Sequence, residues 1–472
     1  MIKEFNTDVV IGLEVHVELD TETKLFCACR TYGNIEPNTL TCPVCLGYPG
    51  SKPVLNKRAV EYALMLCLAL DCKISPELVF SRKSYFYPDM SKNYQITQYE
   101  LPLGQNGKVE LSDNKEVWIT RIHIEEDPAS ITHPGGIGNS EFVLVDYNRS
   151  GRPLCEVVTE PDMTTPKQAR EFMKNLINVL KYIKIFDVNE CIIKADANIS
   201  VKESGYVKVE VKNITGFKEI ENALQYEISR QRNALKCGEI IIQETRAWDA
   251  DSKTTRSMRT KETAEDYGYI LDPDLVITDI TEEWIKKAKE SLPELHNEKV
   301  KRYVSEYGIS LEDAKVLSLD YDLSGFFDEV ARKTNPILAA KWVRRELVRV
   351  LNYNEMELSD IKFDSSHFAD ILELISKDKI TENVGKKILE KLAAGSFNVK
   401  EYVKNENLEK VSDNNALLDM SNKVINENPL VVDEYKSGKD QALNYLVGQV
   451  MKMSKGKASA QEVKKMMESL VK

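Results

Sequence analysis

The chain has 472 residues, of which 29% are charged, and 64 Lys and Arg against 75 Asp and Glu give a formal net charge of -11 at pH 7. That length exceeds what one hydrophobic core usually supports, so we expect two or three domains. The acidic balance excludes a globally basic nucleic-acid-binding protein, and leaves a local basic patch open.

No apolar signal-peptide core stands at the start of the sequence, and no run of about 18 apolar residues occurs along it. We therefore expect a cytoplasmic protein.

The first predicted element is a strand at residues 9–19, VVIGLEVHVEL, in which apolar and polar residues alternate. Successive side chains of a strand point to opposite faces, so Glu14, His16 and Glu18 share one face, about 7 Å apart. One interpretation is an antiparallel sheet with a solvated side. The other is a metal or proton-transfer site. Further carboxylates elsewhere in the chain are needed to choose between the two interpretations.

Four cysteines follow in a short segment, as Cys27-x-Cys29 and Cys42-x-x-Cys45. Two close pairs joined by a short loop can hold a zinc ion tetrahedrally. Because sulfur would fill all four positions, such an ion would brace the loop at 27–45 and take no part in catalysis. The alternative is four free buried thiols.

Further along, the spacing at residues 56–72 predicts a helix packed on a sheet. Residues 80–104 are rich in aromatic and basic residues and contain Pro88, which predicts a loop or a sheet edge. A second helix is predicted to begin after Thr165, its N-cap. The alternating runs at 192–202 and 207–214 predict a hairpin.

Acidic residues recur on the predicted strands of this region. Strand-like runs at 119–130 and 141–162 deliver Glu125, Glu126, Asp127 and Glu156. Oxygen ligands suit Mg²⁺, and two such ions can stabilise a transferring phosphoryl group. The candidate ligands and catalytic groups are Glu14, His16, Glu126, Glu156 and Asp196.

Basic residues in the same region provide candidate contacts for phosphate. They are Arg82, Lys83, Arg149, Arg152, Arg246 and Arg259. The sequence contains neither a P-loop nor a G-x-G-x-x-G motif, which argues against the usual nucleotide-binding folds. It also contains no glycine-flanked nucleophilic Ser or Cys, so a reaction that uses ammonia would need another subunit to release it.

Beyond residue 300 the strand signals disappear, and helices are predicted at 310–317, capped by Ser310, and at 336–351 and 380–395. Residues 437–472 carry seven lysines and three acidic residues, a local net charge of +4. A solvated helical face is the plain interpretation of this charge, and an RNA contact is the alternative.

Several long motifs, in order along nearly the whole chain, resemble the GatB family of tRNA-dependent amidotransferase subunits. They are VIGLEVHVEL, YPGSKPVLNKRAVEYAL, SRKSYFYPDMSKNYQITQYE, RIHIEEDPAS, VDYNRSGRPLCEVVTEPD, DANISV, QETRAWD and ALNYLVGQVMKMSKGKA. The resemblance implies an α+β fold. A cradle domain related to glutamine synthetase, with a largely antiparallel sheet and the zinc loop, spans 1–292. A helical domain spans 293–400, and a YqeY-like tRNA-binding tail spans 401–472.

The resemblance also implies an activity. With ATP, the enzyme phosphorylates the side-chain carboxylate of mischarged Glu-tRNA(Gln) or Asp-tRNA(Asn), and ammonia then displaces the phosphate. An amidase subunit, GatA, supplies the ammonia from glutamine, and the small subunit GatC joins the two. This makes the complex a carbon–nitrogen ligase. The alternative function is a tRNA-binding adaptor without activity. The larger relative GatE shares these motifs but carries an inserted domain, for which 472 residues leave no room.

The resemblance also implies roles for individual residues of this sequence, at the positions where its motifs match those of the family. The resemblance implies that the metal-binding and catalytic positions for Mg²⁺ beside ATP are Glu14, His16, Glu126 and Glu156. The choice of Glu126 over Glu125 rests only on the register in which the motif is matched. Lys83 matches a functional lysine, and the tail lysines implied to contact tRNA are Lys452, Lys455 and Lys457.

The sequence departs from the family pattern at two places. The segment KNITGF replaces the more usual KNLNSF, and Gly268 stands where many relatives carry an arginine that could contact phosphate.

Overall fold

The computed structural model of the chain describes residues 5–34, 36–135, 140–187, 190–260, 267–410, 414–454 and 456–471. The chain divides into two units, Met1–Leu295 and His296–Lys472. Within the described residues every strand belongs to the first unit, so the predicted α+β fold, sheet-rich first and helical afterwards, is confirmed. The further division of the helical part at residue 400 stays a prediction. None of the helices described is both long and apolar enough to cross a membrane.

A nine-stranded sheet forms the centre of the first unit, with smaller sheets beside it. The strands are Val9–Glu18 (β1), Lys73–Ile74 (β2), Glu77–Leu78 (β3), Ser81–Ser84 (β4), Tyr94–Thr97 (β5), Gly104–Glu110 (β6), Glu116–Glu126 (β7), Ser130–Thr132 (β8), Leu144–Asp146 (β9), Pro153–Thr159 (β10), Ile193–Val201 (β11), Val209–Thr215 (β12), Glu244–Asp249 (β13), Thr254–Thr260 (β14), Ile270–Leu271 (β15) and Thr278–Asp279 (β16). The large sheet has the order β14-β13-β12-β11-β1-β10-β7-β6-β2. Its described pairs are antiparallel, except that β12 and β13 are parallel.

Strand β1 occupies the middle of this sheet because its two faces suit different surroundings. The apolar side chains, such as Ile11, Leu13 and Val15, are almost completely buried against helices. Burial of each such side chain stabilises the fold by about 1.5–3 kcal/mol. The helices of this unit are Lys57–Ala69 (α1), Pro166–Ile183 (α2), Phe217–Lys236 (α3) and Glu282–Glu290 (α4). Since α2 and α3 pack on the apolar side, the polar side of the sheet is left for a site.

Two local predictions for this unit are confirmed. The Thr165 hydroxyl accepts a hydrogen bond from the Gln168 backbone N–H at 3.3 Å, so α2 begins at Pro166 as expected. Strands β11 and β12 form the predicted antiparallel hairpin. Its turn needs glycine at Gly205, where φ is +72°, a conformation that costs other residues energy.

The segment at 80–104 contributes two strands of the small sheet β15-β4-β5, with β5 at the sheet edge, which was one of the two predicted alternatives. Strands β4 and β5 pair there as a hairpin, which is closed by a 2.9 Å hydrogen bond from Tyr85 N–H to the Asn93 carbonyl. Strand β15 pairs with the other edge of β4. The propensity of the segment alone underestimated the strand because its second partner lies almost 190 residues further along the chain.

The second unit is helical. Its helices are His296–Ser305 (α5), Leu311–Leu319 (α6), Tyr321–Lys333 (α7), Pro336–Trp342 (α8), Val348–Tyr353 (α9), Ser365–Ser376 (α10), Glu382–Ala394 (α11), Val399–Asn405 (α12), Asn414–Glu427 (α13), Pro429–Lys436 (α14), Asp440–Met453 (α15) and Ala460–Val471 (α16). A π-helical turn, Val343–Leu347, joins α8 to α9. The buried apolar residues form two clusters, one between Val300 and Val403 and one between Leu417 and Met467. The last four helices therefore share a core of their own.

Candidate active site

A cavity of about 870 Å³ lies on the polar face of the large sheet. Its walls include side chains from β1, β7, β10, β11 and β12 and from the segments around β4 and β15. The charged and imidazole side chains that line it are Glu14, His16, Lys83, Arg121, His123, Glu125, Asp127, Arg149, Glu156, Lys194, Asp196 and Lys212. Acidic and basic groups thus face the same enclosed space.

Strand register brings the acidic and imidazole groups into one row. His16 on β1 lies opposite Glu156 on β10 and opposite Lys194 on β11. Glu156 in turn lies opposite His123 on β7. Directly opposite residues of antiparallel strands have Cβ atoms about 5 Å apart, so these four side chains are neighbours by backbone pairing alone.

The row closes into a cluster through Glu125, which is on the same face of β7 as His123. His16 Nδ1 lies 3.3 Å from Glu125 Oε1, and His123 Nε2 lies 3.5 Å from Glu125 Oε2 and 3.2 Å from Glu156 Oε2. One ligand atom each of His16, Glu125 and Glu156 lies within 4.8 Å of the others. Carboxylate oxygens with one imidazole form a donor set that a divalent cation can use.

The structure corrects the choice of Glu126. Its carboxylate points away from the cluster, where it binds Lys92 Nζ at 2.5 and 2.7 Å and accepts a hydrogen bond from the Ile96 backbone N–H at 2.8 Å. Glu125 takes the predicted position because neighbours on a strand face opposite ways. The signal was present in the sequence, since Ile122 and Ile124 mark the even-numbered positions as the apolar side.

The charges within the cluster shift the pKa values of its own side chains. Burial by itself would lower the pKa of His16, but the hydrogen bond with Glu125 and the charge of Glu156 raise it to about 9. Burial is likewise outweighed at His123, whose pKa the charge of Glu156 raises to about 9. Burial would raise the pKa of Glu156, yet the charge of His123 holds it at about 2. A metal ion binds only the neutral imidazole, so metal binding to His16 would release a proton.

The other predicted residues on this face are also held in place. Asn198 Nδ2 donates to Glu14 Oε1 at 2.8 Å, and Lys212 Nζ lies 2.7 Å from Asp196 Oδ2. Lys83 also lines the cavity, with its ammonium 4.6 Å from the centre of the Tyr267 ring.

Basic groups line the same cavity as the acidic cluster. Arg149, one of the predicted phosphate contacts, lines the cavity and is hydrogen-bonded to Asp127. The sequence placed Lys194 on the polar side of its strand without giving it a role, and Arg121 and Lys212 were not singled out, although alternation along their strands places them on the polar side as well. These cations could attract a phosphate-bearing ligand to the acidic cluster.

Three predicted phosphate contacts lie elsewhere. Arg82 binds Asp272 and Asp274 at 2.8 and 2.9 Å, and Arg152 binds Glu18. Arg246 projects toward α3, opposite to its cavity-lining neighbour Thr245. These arginines are engaged in ion pairs outside the cavity. Arg259 belongs to β14, but its side chain lies outside the described residues.

The four predicted zinc ligands do converge. Sulfur atoms of Cys27, Cys29, Cys42 and Cys45 all lie within 4.8 Å of one another. The hydrogen bond from the Cys27 thiol lowers the pKa of Cys45 to about 5 and raises that of Cys27. Four convergent thiols, one of them readily ionised, fit a structural zinc ion.

The remaining predicted positions lie apart from this cluster. Gly268 has a positive φ of +50° beside the cavity, so the backbone there favours glycine over residues with a Cβ atom. In the tail, Lys452 is exposed near the end of α15 and Lys457 is half-exposed just after it. Lys455 lies outside the described residues.

Comparisons with known proteins agree over both units. Residues 9–286, which include every cavity-lining side chain, match a family model described as the GatB/GatE catalytic domain, and residues 325–471 match one described as a GatB domain. The chain is 42% identical to the GatB subunit of the aspartyl/glutamyl-tRNA(Asn/Gln) amidotransferase of Thermodesulfovibrio yellowstonii, over 98% of this chain and 99% of that protein. It is also 42% identical to the protein of the same name from Carboxydothermus hydrogenoformans, over 98% of each chain.

Proposed function

The chain belongs to the GatB family of aspartyl/glutamyl-tRNA(Asn/Gln) amidotransferase subunits, and we propose that its cavity is where a misacylated tRNA is activated for amidation. In this proposal ATP phosphorylates the side-chain carboxylate of Glu-tRNA(Gln) or Asp-tRNA(Asn). Ammonia then attacks the acyl phosphate, and phosphate leaves as the amide forms.

One observation supports this proposal above the others. A cluster of carboxylate and imidazole groups and a set of cations line one cavity on the sheet. Phosphoryl transfer to a carboxylate brings several negative charges together, so its catalysis is mainly positioning and charge stabilisation. A binding adaptor would have no use for three donor groups whose ligand atoms lie within 4.8 Å of one another.

The donor set fits Mg²⁺. His16, Glu125 and Glu156 would hold the ion, with Glu14 on the same face two residues from His16. When bound, Mg²⁺ would neutralise charge on the transferred phosphate. Glu126 is not part of this proposed set.

The chain's own cations would orient the anionic substrates. Lys83, Arg121 and Lys194 line the cavity on different strands and would attract the phosphates of ATP. Arg149, held by Asp127, would be fixed in place for the same task. Since backbone register sets these positions, little reorganisation would be needed when the substrates bind.

Further parts of the proposal concern partners and the second metal. Because the sequence offers no glutaminase nucleophile, we propose that GatA supplies ammonia and that GatC completes a cytoplasmic heterotrimer. The four cysteines from Cys27 to Cys45 would hold structural zinc, and the tail lysines would bind tRNA.

The test uses the purified three-subunit enzyme with mischarged tRNA(Gln) and tRNA(Asn), and measures ADP released per tRNA added. Glu125→Gln is expected to lower tRNA-dependent ADP release by at least about 100-fold, because charge stabilisation by a bound metal ion is worth several kcal/mol. Glu116→Gln is the matched control, since Glu116 is on the same strand but is exposed and paired with Lys108. It should behave as the wild type.

Two outcomes would contradict the proposal. Wild-type ADP release by Glu125→Gln would place the activation elsewhere. Tight tRNA binding by the wild-type complex without ADP release on either tRNA would favour the adaptor. Comparison of the two tRNAs in the same assay identifies the preferred substrate.

A further inference from the structure

His123 is a buried histidine to which the sequence analysis gave no role. It lies on β7 two residues before Glu125, on the same face, and only 3% of its side chain is exposed. The exposed fractions of the two neighbouring candidate ligands are larger, 28% for His16 and 12% for Glu156. His123 is therefore less exposed than these two candidate ligands, although it lines the same cavity.

Within the described residues, the polar contacts of His123 go to two of the candidate metal ligands. Its Nε2 lies 3.2 Å from Glu156 Oε2 and 3.5 Å from Glu125 Oε2. Glu125 is also held on its other oxygen by His16, and Thr97 Oγ1 donates to Oε2 at 3.1 Å. His16, Glu125, His123 and Glu156 thus form an alternating chain of imidazole and carboxylate groups.

The second ring nitrogen marks His123 as unusual. Nδ1 is buried and has no hydrogen-bond partner among the described residues. A buried polar atom without a partner costs roughly 1–3 kcal/mol, so an apolar side chain would stabilise this position better. The position of Nε2 between two carboxylates gives a reason for a histidine there, since two unpaired neighbouring carboxylates would repel each other.

We propose that His123 is a positioning residue that orients Glu125 and Glu156 toward a divalent cation without binding the ion itself. Its ring is not among the converging donors of His16, Glu125 and Glu156, and its Nε2 lies against one oxygen each of Glu125 and Glu156. Hydrogen bonds from such groups fix the oxygen that a carboxylate presents and commonly change metal affinity 10- to 100-fold. This inference rests on the proposed function, because it assumes the metal site.

The test compares His123→Leu with His123→Gln in the intact three-subunit complex. Leucine fills a similar volume without a donor, whereas the Gln amide nitrogen can reach the place of the imidazole Nε2. Binding of Mn²⁺ alone, without ATP or tRNA, is measured by electron paramagnetic resonance of the free ion. We expect about 10- to 100-fold weaker Mn²⁺ binding for the Leu variant and recovery of most of the affinity for the Gln variant.

Turnover gives a second readout. The Mg²⁺ concentration for half-maximal ADP release should rise in His123→Leu, while kcat at saturating Mg²⁺ should change much less, because the ligands themselves remain. Unchanged Mn²⁺ affinity in His123→Leu would overturn the inference. Glu125→Gln separates the two proposals. If both Glu125→Gln and His123→Leu bind Mn²⁺ normally, the metal site of the proposed function fails. If Glu125→Gln loses Mn²⁺ binding and His123→Leu keeps it, only the proposed role of His123 fails.

If His123→Leu does not assemble with its partner subunits, His123→Asn takes its place in the comparison with His123→Gln. His123→Asn is polar, but its amide is too short to reach Glu156 as Gln does. Weaker Mn²⁺ binding by the Asn variant than by the Gln variant is then the expected result. Equal affinities in these two variants would also overturn the inference.

Discussion

Single residues owe their place in the candidate site to the side of a strand on which they lie. Glu125 and Glu126 are adjacent, yet one faces the cavity and the other binds Lys92 on the opposite side. Thr245 and Arg246 differ in the same way on β13. A shift of one residue in register would therefore exchange a candidate ligand for a structural ion pair.

His16 is the only imidazole among the three converging candidate ligands of the described residues, and its replacement is a direct test of the metal-binding proposal. His16→Ala should reduce tRNA-dependent ADP release by roughly 100-fold or more, because a ligand worth several kcal/mol of charge stabilisation is lost. Glutamine hydrolysis by the amidase partner should persist at its basal level. Both rates are measured on the same preparation, and near-normal ADP release would refute the role of His16.

Arg246 should matter for stability and leave nucleotide binding unaffected. It binds Glu244 at 2.8 Å and faces the fully buried Glu227 at 3.7 Å. Arg246→Ala should lower the free energy of unfolding by on the order of 2 kcal/mol, since a buried carboxylate loses part of its pairing. Denaturant titration measures that change. The KM for ATP should stay at the wild-type value, and a rise in that KM would mean that Arg246 contacts the nucleotide.

At the scale of elements, the cysteine loop is attached to the segment that supports β7. Ser91 Oγ donates to the Cys45 carbonyl at 2.9 Å, and Gly47 packs so closely on Lys92 that a Cβ atom there would lie 2.6 Å from its Cγ. Lys92 in turn binds Glu126. A zinc ion in this loop would thus brace the strand end that presents Glu125.

Zinc binding is tested by changing one cysteine pair. The wild-type protein, purified without chelator, should contain one zinc ion per chain by elemental analysis. Cys42→Ser with Cys45→Ser should remove that zinc and lower Tm, because a structural ion contributes directly to folding. ADP release should fall only in part. Complete loss in a folded variant would show that the ion does more than brace the loop, and absence of zinc from the wild type would refute the site.

The start of α2 gives a smaller and cleaner prediction. Thr165→Ala removes the hydroxyl that accepts from Gln168 N–H, and loss of such a cap costs about 1 kcal/mol. Thr165→Ser should keep most of the stability. Thermal unfolding of the two variants side by side measures the difference, and equal stability would show that this cap contributes nothing.

At the scale of the whole molecule, the tail has a core of its own that constrains how it can be tested. Helices α15 and α16 supply Leu446, Val450, Val463 and Met467 to a cluster that also contains Leu417. Deletion of residues 437–472 would therefore expose the apolar side of α13. Removal of the chain from residue 411 onward, or single lysine changes, tests tRNA binding without that damage.

The tail lysines should act on binding more than on turnover. Lys452→Ala and Lys457→Ala should each raise the KM for aminoacyl-tRNA and change kcat at saturation little, since contacts far from the chemistry are uniform binding. Each should also reduce the slope of log affinity against log salt by about 0.7–0.9. Lys436→Ala, an exposed lysine of α14, is the control. Identical salt slopes in all variants would favour a solvated helical face.

Much of this architecture could be predicted from the sequence because it depends on local rules. Period-two alternation gives β1 and its polar face, Thr165 and Pro166 give the start of α2, and paired cysteines give the sulfur cluster. These patterns involve residues close together in the chain, so their physics can be read without knowing the fold.

The tertiary structure alone decided which of the predicted charges share a space. The sequence offered Arg82 and Arg152 as phosphate contacts, but their partners Asp272 and Glu18 lie more than 100 residues away in the chain and become neighbours only after folding. Pairing of β1 with β10 and of β10 with β7 likewise brought His123 beside Glu156. Electrostatic partners are chosen by distance in space, and local sequence patterns carry no information about that distance.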